Sequence, residues 1–407
     1  MNRQPSQPET RPETVGGDNT STTPVAAHTP RSALGRTGLS RGALNVAFQA
    51  GAFLVALVIT TLVLLVAGAP PFAAYGEIVR GAVGSLQSLA DVTVAWVPLV
   101  VCTFGLLVTF AAGLWNIGVE GQIMLGAVFA TLVLRLLQDT NAPAWLALTL
   151  AISAAMVGGG LWAVLAGVLK AFGGVNEIFG GLGLNYVATA LSLWLIFGPW
   201  KRPGVGSMSG TEPFPEQLWL PQFSGLRLSP WGLGLAVLAV VIVGVALSRT
   251  YFGLKLKAVG RNMRAAFLLG IPTWQYVLAA FLVCGLMAGL AGGIQVTAVY
   301  HRLIPSISSG YGFLGLLVAM LVRYRALWAA PVALFYAALN IGSIQLPIVL
   351  KLDSSLAGVL QGVLVLCVIL AEGARQRLLH RPVSELPAPQ EPGRGAPEHA
   401  TPVEDAL

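Results

Sequence analysis

The sequence predicts an all-α polytopic membrane protein of about ten transmembrane helices, arranged as an inverted repeat of two five-helix halves with broken helices. Three observations carry this. AVILMFWYC make up 55% of the 407 residues and DEKR only 10%, where a soluble domain carries roughly 25% charged residues. Charge is concentrated at the ends: residues 1–45 and 372–407 hold 9 basic and 9 acidic residues, while the 326 residues between them hold 15 and 8. Apolar windows of membrane-crossing length recur through that middle body. These facts exclude a soluble globular enzyme, a disordered regulator and a nucleic-acid-binding domain, although the net charge is +7.

Residues 1–45 and 372–407 are expected to be polar tails, largely disordered, because their Pro, Ser, Thr, Gln and Glu content buries too little surface to offset ordering entropy. Residues 46–371 form the transmembrane domain. Its apolar windows are 46–68, 94–113, 122–137, 144–169, 178–198, 229–248, 272–299, 304–322, 327–346 and 355–371. The first begins too far from the start for a cleavable leader and is read as an uncleaved helix. The window at 122–137 is short, and the one at 304–322 opens with Pro305, Ser306, Ser308, Ser309 and Gly310. Short or Gly/Pro-interrupted windows are where transporters break their helices. Both long connections, 69–93 and 199–228, fall on one side; the first is expected to carry an interfacial helix and the second an ordered cap with Trp200 and Trp219 as interface anchors. With both termini inside, the inner side receives 14 basic residues and the outer side 7, a bias that places both termini in the cytoplasm.

Cys102, Cys284 and Cys367 are read as small core residues, since no metal or redox spacing exists. No catalytic motif or phosphate-binding loop occurs, and His301 is the one histidine of the apolar body. Uphill transport would therefore need an ion gradient or another subunit.

Four segments interrupt the apolar pattern. The stretch 113–122 (GLWNIGVEGQ) has glycines at 113, 118 and 121 around Glu120. An acid at membrane depth is a functional hypothesis, whereas a cytoplasmic turn would leave Glu120 in water. Asn176 and Glu177 either start a helix or, with Asn185 and Tyr186, face a polar path; Asn185 also suits interhelical hydrogen bonding. Ser306–Phe313 is again polar and Gly-broken, at the place in the second half that corresponds to 113–122 in the first. Finally, Asn262 is placed to cap a short helix at 263–269 that ends at Gly270. That helix is suited to dock a protein, and an ordinary positive-inside loop is the alternative.

Residues 113–122 resemble the G-L-F-N-I-G-V-E-G-Q segment of ABC-importer permeases for nucleosides and simple sugars, within the branched-chain amino acid/ribose permease family. Asn176-Glu177 with Asn185-Tyr186 resembles that family's N-E-V…L-N-Y. Ala258–Asn262 with Ala265-Ala266 and Gly270-Ile271 resembles A-V-G-x-N-x-x-A-A…G-I, and Gly310–Phe313 resembles G-Y-G-F. The match covers roughly 46–371. Gly180, Gly181 and Gly183 depart from it, as does 322–327, which lacks the usual Gly and Pro.

The resemblance implies a non-catalytic permease that binds no cofactor itself, with ATP and Mg used by cytoplasmic ABC ATPases. It implies a second permease subunit with a related but different version of the motif, making a heterodimer, and an extracytoplasmic binding lipoprotein or periplasmic protein. It implies a bacterial plasma membrane location among lipid and no nucleic-acid partner. Translocation-path roles then fall to Asn116, Glu120, Gln122, Asn176, Glu177, Asn185, Tyr186 and Tyr311. An ATPase-coupling helix falls to Gly260, Arg261, Asn262, Arg264, Ala265, Ala266 and Gly270, with the two glycines as flexible ends and both alanines facing the ATPase groove. The competing reading is a stand-alone ion-coupled carrier using Glu120.

Overall fold

A computed structural model of the chain describes residues 41–204, 209–322 and 325–351, with scattered residues between 358 and 374. Both tails lie outside the described residues apart from Arg41–Asn45 and 373–374, as does most of the last apolar window. By contacts the chain divides after Val46, and everything below concerns the unit from Ala47 onward.

The described residues are helical in order: α1 (Arg41–Val66), α2 (Pro71–Val83), α3 (Leu86–Ala111), α4 (Val119–Leu137), α5 (Ala144–Ala171), α6 (Glu177–Phe197), α7 (Pro230–Arg249), α8 (Tyr251–Arg261), α9 (Met263–Leu268), α10 (Thr273–Ile294), α11 (Tyr311–Leu321), α12 (Ala326–Ser343) and α13 (Gln345–Val349). Among the described residues, seven helical stretches are long and apolar enough to cross a membrane; the bent pair 54–66 and 71–83, which turns through 110°, would make an eighth. This is fewer than the ten windows for identifiable reasons. The window at 304–322 yields only the 11-residue α11 after an irregular segment, and the window at 355–371 is mostly undescribed. The 69–93 connection does carry a helix, α2, with Pro71 at its first position.

The core lies where α3, α4, α5 and α10 meet. These helices approach closely because glycines face each other: a Cβ on Gly126 would lie 2.5 Å from Gly289 Cα, and one on Gly159 would lie 2.6 Å from the same atom. With little hydrophobic drive between helices in lipid, such small-residue contacts supply the packing. Cys102 and Cys284 are buried among them, as expected, and Cys367 is buried too. α6 and α7 sit at the margin, with Phe179, Tyr186, Trp194, Leu238 and Ile242 exposed.

Two helix breaks organise the rest. The first runs from Ala112 to Gly118, between α3 and α4. The second runs through a wide π turn (Gln295–Tyr300) and an irregular stretch to Gly310, between α10 and α11. The first falls between the second and third apolar windows of the sequence, and the second between the seventh and eighth.

Candidate functional site

α3 ends in a Schellman turn: Gly113, at φ 74°, donates to Phe110 C=O, and Leu114 N–H returns to Thr109 C=O at 2.9 Å. The chain then enters the protein interior. Asn116 and Gln122, both fully buried, exchange amide hydrogen bonds at 3.0 and 3.1 Å, and Asn116 also donates to Cys284 Sγ. Cys284 lies eleven residues into α10, about 16 Å along its axis. Asn185 clamps the same turn from α6: its Oδ1 accepts Gly121 N–H at 2.8 Å and its Nδ2 donates to Ile117 C=O at 2.9 Å. Asn185 is eight residues into α6, about 12 Å along it. The break therefore sits deep in the helix bundle, and the reading of Glu120 as a residue of a watery turn is wrong.

The glycines around Glu120 predict a non-helical segment from Asn116 to Gln122, but the chain is irregular only as far as Gly118. Helix α4 begins at Val119, so Glu120 and Gln122 belong to its first turn, where a carboxylate is favoured by the helix dipole. Glu120 Oε2 accepts the backbone N–H of Gly312 at 2.9 Å, and the Ser308 hydroxyl and the backbone of Gly310 and Phe313 also hydrogen-bond it. One acid thus serves two helix N-termini, its own and that of α11. Committed in this way, it is a poor site for a coupling ion.

Of the eight predicted path residues, Asn116, Glu120, Gln122 and Asn185 come together in this network, and Tyr311 adjoins it through Gly312. Asn176 and Tyr186 do not, and Glu177 reaches only the backbone of Trp115 at the edge of the break. Asn176 is exposed and caps α6, accepting Ile178 N–H at 2.9 Å. Glu177 pairs with Lys170 at 2.7 Å. Tyr186 is 70% exposed on the margin, because adjacent residues of a helix cannot share a face and Asn185 takes the inward position. The departure from the family pattern at Gly181 has a local reason: a Cβ there would lie 2.7 Å from Gly118 N, so glycine lets α6 press on the first break.

The second break is built differently. His301 (φ 55°) and Ser309 (φ 48°) occupy left-handed backbone that non-glycine residues seldom adopt. Strain of this kind and π turns both concentrate at functional sites. The 209–228 connection runs along the break and satisfies the polar groups it frees: Leu220 N–H donates to Thr297 C=O at 2.9 Å, Gln222 Nε2 to Ala298 C=O at 3.0 Å, and Phe214 N–H to His301 C=O at 2.9 Å. Trp219 is half-buried and stacks on His301 at 3.9 Å between ring centroids, while Trp200 lies beneath Arg135. Both tryptophans thus pack on partners within the protein, a contact beyond the anchoring role expected of them.

A cavity of about 650 Å³ opens beside this break, lined by Asp91, Gln222, Arg227, Tyr300, His301 and Tyr311 among others. It lies among the ends of α2, α3 and α12, the π turn after α10 and the start of α11, on the side of the 199–228 connection and away from α8 and α9. Tyr311 is the one predicted path residue that lines it. Asp91 was missed, although a lone acid just ahead of an apolar window was a legible signal. Gln222 and Arg227 gave no signal, since a long connection makes their placement invisible, and Tyr300 gave none because the π turn that carries it interrupts no hydropathy pattern.

On the opposite side, α9 has the predicted punctuation. Asn262 Oδ1 accepts Ala265 N–H at 2.9 Å, and Gly270 (φ 78°) closes the helix with Gly270→Phe267 and Ile271→Ala266 backbone bonds at 2.9 and 3.0 Å. Two details differ from expectation. Gly260 is no flexible end: it lies within α8 against Ala111–Gly113, where a Cβ would strike Ala111 O. Ala266 faces inward and is buried, while Ala265, Arg261, Arg264, Phe267, Leu268 and Leu269 are exposed.

Deep helix breaks, a polar cavity and a capped helix on the far face define a multi-pass membrane permease. The family described as branched-chain amino acid transport system/permease component matches residues 88–369. The chain belongs to that family. It is 31% identical over 329 residues to the glucose ABC transporter permease protein TsgB13 of Haloferax volcanii, covering 78% of this chain and 86% of that protein. It is 28% identical over 324 residues to the guanosine ABC transporter permease protein NupP of Bacillus subtilis (78% and 91%). A second guanosine permease of that organism, NupQ, matches at 26% over 257 residues (59% and 76%).

Proposed function

We propose that this chain is the membrane subunit of an ABC importer that carries nucleosides or related simple-sugar solutes, non-catalytic itself and driven by ATP and Mg on separate ATPase subunits. The observation that carries the energy-coupling part is α9. It is capped at both ends, exposes an apolar tip of Phe267, Leu268 and Leu269, and lies on the face opposite the cavity. Lys255, Lys257, Arg261 and Arg264 flank it, which favours a cytoplasmic position with both termini on that side. The cavity then faces outward, where a binding lipoprotein or periplasmic protein delivers solute. Residues 46–371 act as the permease domain, in a bacterial plasma membrane. The names of the relatives support the solute class, and two guanosine permeases in one organism support pairing with a second, non-identical permease.

The test is the reconstituted complex. Leu268→Asp with Leu269→Asp should permit folding and insertion, since both side chains are exposed, but reduce ATPase co-purification and uptake by tenfold or more. A hydrolysis-dead ATPase should abolish uptake. Uptake that persists without the ATPase and follows a sodium or proton gradient would overturn the proposal.

A further inference from the structure

We propose that the cavity is a solute-contact site for the hydroxyl groups of a neutral sugar-bearing solute, with Asp91 as the principal acceptor, and that it disfavours phosphorylated forms. This rests on the importer reading above and adds the residues and the selectivity.

The argument concerns hydrogen-bonding capacity. Asp91 is the one acid or base of the 26 residues of α3. Its Oδ1 accepts from Gln87 Nε2 at 3.2 Å, which leaves Oδ2 unbonded among the described residues. Gln222 is held by its Nε2 on Ala298 C=O, so its Oε1 is the end left to a ligand. His301 donates Nδ1–H to Thr297 C=O at 3.2 Å, so Nε2 is left as an acceptor. Burial also holds this imidazole below its usual range, keeping it neutral near pH 7. Three acceptors on one void call for a ligand that brings donors, as a row of hydroxyls does.

Charge narrows the choice. Arg227 lines the same cavity without an ion pair among the described residues. One guanidinium and one carboxylate give the cavity no net charge, so a phosphate dianion that pairs with Arg227 also meets the Asp91 carboxylate, and the guanidinium opposes a cationic amine. Tyr300 and Tyr311 add ring surface suited to a base or to the apolar face of a sugar. The volume falls within the roughly 300–1,000 Å³ usual for small-molecule sites.

The experiment is thiol protection in the assembled complex. The three native cysteines are buried, so Ser88→Cys on the cavity wall supplies one reactive thiol, and Gln345→Cys on another wall supplies a second probe position. Saturating guanosine or glucose should slow maleimide labelling at one or both positions at least threefold. 2′,3′-Dideoxyguanosine and guanosine 5′-monophosphate should not. Adding Asp91→Asn should remove the protection. Absence of protection by both solutes at both positions would overturn the proposal. So would protection unchanged by Asp91→Asn, or equal protection by the monophosphate. ATP-dependent uptake by the unsubstituted complex is measured alongside; its absence would count against the importer reading, whereas uptake without protection would count against this site alone.

Discussion

The two helix breaks use the same materials to opposite ends. At 112–118 the freed polar groups find one another: Asn116 with Gln122, Asn185 with Gly121 and Ile117, Glu120 with Gly312. At 295–310 the freed groups are met by a distant connection on one side and by a cavity on the other. A break whose groups are paired is a rigid joint, because each bond lost would strand a buried donor or acceptor. A break that borders a void keeps unused capacity for a ligand. Polarity in an apolar helix therefore does not by itself mark a path; what matters is whether that polarity is already used.

The sharpest way to break this contrast is Asn185→Leu. It strands Gly121 N–H and Ile117 C=O in the interior, at about 1–3 kcal/mol each. The complex should lose thermal stability and membrane yield, with no selective effect on any one solute. A change of solute preference at unaltered stability would show that the first break contacts solute after all. Glu120→Gln should be milder. The amide oxygen still accepts from Gly312, but the charge at two helix N-termini is lost, worth about 0.3–2 kcal/mol. Thermal unfolding should fall modestly, and uptake should fall more than stability does, because α11 carries Tyr311 into the cavity wall. The smallest effect belongs to the second break. Trp219→Ala removes the stack on His301, about 0.5–1.5 kcal/mol for a ring pair, and the Nε1–H bond to Phe214 C=O. Assembly should persist, and faster hydrogen exchange should be confined to the 209–228 connection and the 297–303 segment.

Much of the first break was legible. Glu120, Asn116 and Gln122 stand out as polar residues in an apolar sequence, and Asn185 as an amide eight residues into a helix. Capping rules gave α9 from Asn262 to Gly270. The errors came from direction. Tyr186 was grouped with Asn185 although neighbouring helix positions diverge, and Ala266 was placed outward although it is buried. Gly260 reads as a flexible end in the sequence but is a contact point between α8 and the end of α3.

The sequence by itself determined that the chain is a helical membrane body, where its helices are interrupted and which short helix is capped. These are local properties, governed by hydropathy over some twenty residues and by backbone preferences within one turn. Only the tertiary structure decided which interruption is closed and which borders a cavity. Asp91, Gln222, His301 and Tyr311 come from segments far apart in the chain. Whether a buried polar atom has capacity left depends on what the packing brings beside it, and no local pattern records that.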